Sequence, residues 1–196
     1  MNLVRASELI GLPVVSIASG EALADVRDVV YDGESHRLVG FTLNKRGLLA
    51  GRMKHPLAAG SVAAIGADAV MIDTDSAVTD SGDAPTGLDD LGSARPVLGN
   101  RVLSADGSDL GEVVAVIVAT GDRPRAVGYE LKAHGRADTA FVPSSKRMAV
   151  SGENLVLPAE ATAFVHYDLA GFGAAIGSYP SSEQENEDVD GHIHQR

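Results

Sequence analysis

The sequence contains no cysteine and no tryptophan, and only four phenylalanines and four tyrosines among its 196 residues. Without cysteine the chain cannot form a disulfide, a zinc–thiolate site or a thiol nucleophile. With so few aromatic side chains, its core must be filled by valine, leucine, isoleucine and alanine, which suit the inner faces of small sheets and barrels. Hydrophobic residues make up 44% of the chain, which is typical of a globular protein.

Long hydrophobic runs are also missing. No stretch approaches the roughly 20 apolar residues that span a bilayer, because the nearest candidate, residues 161–179, is interrupted by His166 and Asp168. The first eight residues lack the basic and apolar regions of a signal peptide. These features predict a cytoplasmic protein without membrane insertion.

Positive charge is scarce, and the formal net charge is −11. This balance argues against general binding to duplex nucleic acid, which depends on cations that displace counterions. Much of the excess lies in residues 181–196, where Arg196 is the sole cation beside Glu183, Glu185, Glu187, Asp188 and Asp190. The composition predicts a disordered acidic tail over 181–196, and it leaves room for a local basic surface elsewhere.

An internal repeat organises the chain. Residues 9–17 resemble residues 97–105, with Gly11 matching Gly99 at an offset of 88. Residues 38–43 match 126–131 at the same offset, and residues 65–72 match 150–157 at an offset of 85. A further block around Gly20 matches the block around Gly107 at 87. Four matched blocks in the same order predict a duplication whose turns differ slightly in length.

Short apolar segments separated by glycine and aspartate turns predict a mainly β fold of two tandem small antiparallel β-barrels. Strands are expected at 13–17, 23–31, 38–44 and 69–73, and again at 101–104, 110–119, 126–132, 140–143 and 155–157. We expect a first domain at 1–75, a linker at 76–94, a second domain at 95–160 and a C-terminal extension at 161–180, either helix or strap. Because each copy is small, we expect the copies to pack on each other or on a second chain, of which a homodimer is one form.

The segments 7–14, 22–32 and 37–41 resemble the PRC-barrel family, named after the cytoplasmic domain of the photosynthetic reaction centre H subunit. Residues 47–51 and 56–66 are similar to the later half of that family. The resemblance covers 3–75 well and 96–160 less well, and it consists of glycines and aliphatic residues without a catalytic motif. It implies a barrel that docks to proteins, as does the family's domain in a ribosome maturation factor.

Catalytic and metal-binding motifs are not evident in the sequence. The six histidines are His36, His55, His134, His166, His192 and His194. None of them stands in a hydrolase or metalloprotease motif. Gly171-Phe-Gly173 begins like a dinucleotide-binding fingerprint, but Ile176 stands where the third glycine is needed. The sequence therefore predicts a protein that is not an enzyme and holds no cofactor and no metal.

The most informative surface feature is the basic loop of residues 44–55. It holds four cations around two leucines, namely Lys45, Arg46, Leu48, Leu49, Arg52 and Lys54. Positive charge beside apolar groups suits a docking surface for a partner, and the alternative is that the two leucines fold back over the barrel. The corresponding residues 133–138 have lost the leucines and most of the charge.

We predict a non-catalytic cytoplasmic adaptor or scaffold that docks to an unidentified protein partner through its β-barrels. The alternative is an RNA- or ribosome-associated assembly factor that uses the basic loop, which scarce aromatic residues for base stacking disfavour. A small-molecule-binding sensor is a third possibility, without positive support in the sequence.

Overall fold

A computed structural model describes residues 2–32, 37–47, 51–79, 97–120, 124–133, 139–145, 147–150 and 153–179. The chain divides into two compact units, of which the first holds Met1–Leu98 and Ala115–Ala126 and the second holds Gly99–Val114 and Val127–Arg196. Most of the predicted linker at 76–94 and all of the predicted acidic tail at 181–196 lie outside the described residues. The predicted domain bounds therefore stay a prediction.

The fold is mainly β, as predicted. The strands of the described residues are β1 Asn2–Arg5, β2 Pro13–Ser16, β3 Ala22–Asp32, β4 Arg37–Lys45, β5 Leu57–Ala58, β6 Val62–Ile65, β7 Val70–Ile72, β8 Arg101–Ser104, β9 Asp109–Thr120, β10 Arg125–Lys132, β11 Thr139–Pro143, β12 Ala149–Val150 and β13 Asn154–Leu157. The same described residues contain one α-helix, α1 Leu169–Ile176, and 3₁₀ turns at Ala6–Leu9, Ala59–Ser61, Asp75–Ala77 and Ala159–Phe164.

The strands form two sheets. The first sheet has the order β5-β4-β3-β2-β7-β6. The second has the order β11-β10-β9-β8-β13-β12, and β1 pairs antiparallel with the end of β9, with Asn2 opposite Thr120. Among the described residues, the last strand of each order does not pair with the first. The predicted closure of each sheet into a barrel is therefore not observed in the described strand pairs.

The two sheets have the same connectivity. In the first, β2 and β7 are parallel neighbours with Val14 opposite Val70, while in the second, β8 and β13 are parallel neighbours with Val102 opposite Leu155. These partners differ in number by 88 and 85, the offsets of the sequence repeat. All four side chains are fully buried, so the repeated sequence positions have the same place in each sheet.

The turn that leads into each sheet is also repeated. Gly11 and Gly99 have positive φ angles of 90° and 86°, a conformation that favours glycine. The Gly11 amide donates to the Val26 carbonyl at 2.8 Å, and the Gly99 amide donates to the Val113 carbonyl at 2.9 Å. The buried residue before each turn, Leu9 or Val97, is 2% exposed.

The extension after β13 packs on the second sheet. Its backbone pairs with β11, because the Phe141 amide donates to the His166 carbonyl at 2.7 Å. Helix α1 then begins after Asp168, whose carboxylate accepts a hydrogen bond from the Gly171 amide at 2.7 Å and caps the helix. The segment left open between helix and strap therefore contains a 3₁₀ turn, a short bridge and an eight-residue helix.

Serine–aspartate hydrogen bonds stabilise the turns that follow β2 and β8. Ser19 donates to Asp75 at 2.8 Å beside Ser16, and Ser104 donates to Asp106. A hydrogen bond from the Ser16 side chain, and to a smaller extent one from Ser19, lowers the pKa of Asp75 below its ordinary value. A hydrogen bond from the Ser104 hydroxyl, and to a smaller extent one from the Ser108 amide, lowers the pKa of Asp106.

A low pKa in the folded state means that each carboxylate stabilises the fold above its unfolded pKa of about 3.9 and loses that contribution as the pH falls through the folded pKa. We expect the melting temperature to fall less between pH 6 and pH 2.5 in an Asp75→Asn/Asp106→Asn variant than in the wild type. A variant with Asp68→Asn/Asp73→Asn, two exposed residues, serves as the control and should follow the wild type. If the melting temperatures of all three proteins fall by the same amount between pH 6 and pH 2.5, these hydrogen bonds do not have this role.

No helix among the described residues has the length and apolar character needed to cross a membrane.

Candidate docking surface

The basic loop predicted from the sequence is partly an antiparallel hairpin. Asn44 lies opposite Arg52, the Lys45 amide donates to the Gly51 carbonyl at 2.9 Å, and the Met53 amide donates to the Leu43 carbonyl at 2.9 Å. The end of β4 is therefore paired with residues 51–53. This pairing brings cations that are six or more residues apart in sequence to one end of the first sheet.

Side chains alternate between the two faces of a strand. Asn44, Arg46 and Arg52 consequently lie on the same face of the hairpin, and Leu43, on the other face, is 1% exposed in the core. Lys54 follows Arg52 by two residues, and both side chains are exposed. We call Arg46, Arg52 and Lys54 the basic face. Lys45 is exposed next to it.

One carboxylate belongs to this surface. The Arg46 guanidinium donates to the Asp25 carboxylate at 2.7 Å, and both side chains remain more than a third exposed. Asp25 reaches this position because its residue lies opposite Asn44 in the β3–β4 pair. The contact shows that a carboxylate is bound here by an arginine, and its exposure means that it contributes little to stability.

The structure therefore brings together Lys45, Arg46, Arg52 and Lys54 of the predicted site. Leu48 and Leu49 lie outside the described residues, so both interpretations of the two leucines stay predictions. The corresponding residues 134–138 of the second sheet also lie outside the described ranges.

Asp25 is a member of this surface that sequence reasoning missed. It lies opposite Asn44 in the β3–β4 pair. The register of this pair shifts twice, between Val30 and Tyr31 and between Val26 and Asp28, and the two shifts offset each other. A regular ladder counted back from the end of β3 at the turn therefore reaches the same partner, and this count is the signal that could have placed Asp25 on the surface.

Other candidate chemistry is sparse in the described part of the chain. No group of three or more histidine, aspartate and glutamate side chains is placed to hold a metal ion there. His55 is half-buried, and its Nε2 and the Thr42 hydroxyl are buried polar atoms without a hydrogen-bond partner. His166 lies in the bridge to β11, while His36, His134, His192 and His194 lie outside the described residues.

Comparison with protein families identifies a PRC-barrel domain in residues 1–80. This match confirms the resemblance for the part of the chain that contains the first sheet and the basic face, and strands β8 to β13 lie outside it. The PRC-barrel family is often involved in protein–protein interactions. No curated protein matches the chain.

Proposed function

We propose that this protein is a non-catalytic adaptor that docks to a protein partner, and that the basic face receives an acidic segment of that partner. The observation that carries the proposal is the concentration of Lys45, Arg46, Arg52 and Lys54 at one end of a sheet in a chain with a net charge of −11. A local field of opposite sign to the whole chain favours encounter with an acidic segment at that place.

The contact between Arg46 and Asp25 supports this partner chemistry. Arginine binds carboxylates through charge-assisted hydrogen bonds, and this one already does so at 2.7 Å. The neighbouring Arg52 and Lys54 are exposed and extend the surface away from Asp25. An acidic peptide laid along the hairpin would therefore lie beside the exposed Arg52 and Lys54 as well as Arg46.

We further propose that the second sheet is a second copy of the same domain, that each copy closes into a barrel, and that only the first copy carries the docking surface. The shared strand order, the shared parallel pair and the shared glycine turns support the duplication. The loss of basic residues from 133–138 supports different roles for the two copies.

The proposal is tested by binding of a fluorescein-labelled peptide with alternating glutamate and serine, measured by fluorescence anisotropy at 50 mM salt. Exposed ion pairs contribute about 0.2–1 kcal/mol each, so an Arg52→Gln/Lys54→Gln variant should bind about two- to thirtyfold more weakly. Higher salt should weaken binding further.

A matched control removes two exposed cations elsewhere, Arg37→Gln/Lys132→Gln, and should bind the peptide as the wild type does. Equal affinity in all three proteins, or no binding at all, would overturn the proposal. A 20-nucleotide RNA is tested in parallel, because tighter and more salt-sensitive binding of RNA than of peptide would favour the RNA-associated alternative instead.

A further inference from the structure

The Arg46–Asp25 ion pair lies beside a row of residues that crosses three strands of the first sheet. Asp25 in β3 lies opposite Asn44 in β4, and Asn44 lies opposite Arg52 in the other arm of the hairpin. Directly opposite residues place their side chains on the same face, and neighbouring strands are about 4.7–4.9 Å apart. Asp25 and Arg52 therefore lie on one face, on either side of Asn44 and roughly 10 Å apart.

On this face Asp25 occupies the position that a carboxylate of a ligand would take. It accepts a hydrogen bond from the Arg46 guanidinium at 2.7 Å, which is the charge-assisted contact that arginine makes with carboxylates. The side chains are 43% exposed for Arg46 and 36% exposed for Asp25. Because water reaches both partners, the ion pair is weak and can open while β3 and β4 stay paired.

We propose that Asp25 is a built-in competitor for the carboxylates of the partner, so that Arg46 binds the partner only after it releases Asp25. This inference rests on the proposed function, because it concerns the occupancy of the same basic face. A segment with a single carboxylate gains little by replacing Asp25, since one carboxylate is exchanged for another. A segment with several carboxylates also gains contacts with the exposed Arg52 and Lys54. Asp25 therefore makes the basic face selective for segments with several acidic residues.

Binding of the fluorescein-labelled glutamate–serine peptide at 50 mM salt tests the proposal with an Asp25→Asn variant. Release of Arg46 from its competitor should tighten binding about 1.5- to fivefold, which corresponds to the usual strength of an exposed ion pair. In that background Arg46→Gln should remove the gain. In the wild type Arg46→Gln should change the affinity less, because Arg46 is already paired, so the two substitutions should not be additive.

Asp28→Asn is the matched control, because it removes one negative charge from the same strand and leaves the Arg46–Asp25 pair in place. Asp28 is exposed, lies opposite Thr42, and accepts a hydrogen bond from the Val29 amide at 2.9 Å. This variant measures the general effect of the charge and should tighten binding less than Asp25→Asn does. If Asp25→Asn binds the peptide no more tightly than Asp28→Asn, or if the two substitutions at Asp25 and Arg46 are additive, the inference is overturned.

The Arg52→Gln/Lys54→Gln variant separates this failure from failure of the proposed function. If that variant binds more weakly than the wild type while Asp25→Asn and Asp28→Asn bind alike, docking on the basic face stands and competition by Asp25 falls. If none of the proteins binds the peptide, both are overturned.

Discussion

Replacing Gly128 by alanine is expected to destabilise the second unit by about 3 kcal/mol or more. A Cβ at this position would overlap the Val142 carbonyl oxygen on the neighbouring strand β11 and would lie 2.7 Å from Cζ of Phe172. Overpacking a core usually costs about 1–3 kcal/mol. The cost here belongs at or above the upper end, because the obstructing oxygen is part of the backbone and cannot turn away as a side chain does.

The equivalent position in the first sheet provides an internal repeat of the experiment. A Cβ at Gly40 would overlap the Leu57 carbonyl oxygen on β5 in the same way, so Gly40→Ala should destabilise the first unit. Hydrogen exchange read by mass spectrometry distinguishes the units: Gly128→Ala should speed exchange in β10 and β11, and Gly40→Ala in β4 and β5.

Gly177→Ala is the matched control for both substitutions. Gly177 has a right-handed helical φ of −64°, and a Cβ there would meet no atom within 4 Å. Alanine should therefore leave stability unchanged or raise it slightly. If hydrogen exchange in β10 and β11 is equally fast in the Gly128→Ala and Gly177→Ala variants, the close approach between these two strands is not a constraint on the fold.

Three strands of the second sheet were well predicted from the sequence. Those expected at 101–104, 110–119 and 126–132 are observed at Arg101–Ser104, Asp109–Thr120 and Arg125–Lys132. Their aliphatic residues pack in the core, such as Val102 and Leu131, and the later part of β9 and most of β10 are buried on both faces. Where burial drives strand formation, local pattern is enough to predict the element.

Other strands could not be predicted because their partners are distant or their length is minimal. Strand β1 is extended because it pairs with β9, with Asn2 opposite Thr120. No local sequence pattern predicts this distant pairing. Strand β5 contains only Leu57 and Ala58. Strand β6, in a segment read as a loop, pairs with β7 across a register shift. The cations of the candidate site were evident in the sequence, but their common face was not, because it depends on the pairing of Asn44 with Arg52.

Phe172 is the second position at which a large effect is expected. Its side chain is fully buried, and its ring stacks on Phe141 with centroids 6.0 Å apart and an interplanar angle of 27°. The same ring reaches the open space above Gly128. The absence of a side chain at Gly128 thus makes room for the aromatic residue that attaches helix α1 to the second sheet, and the extension belongs to the core of its unit.

Phe172→Ala should consequently cost about 3–5 kcal/mol, the range for removal of a buried phenylalanine, and should expose the Phe141 face of β11. Urea unfolding followed by hydrogen exchange in β10, β11 and α1 measures the loss. Tyr167→Ala removes an aromatic residue that is 68% exposed just before the same helix, so it should change stability by no more than about 0.5 kcal/mol. Because Phe141 and Phe172 are in contact, the Phe141→Ala/Phe172→Ala double variant should lose less than the two single losses added together. If the losses of unfolding free energy are additive, or if the Phe172→Ala protein is as stable as the Tyr167→Ala protein, α1 contacts the sheet without forming part of its core.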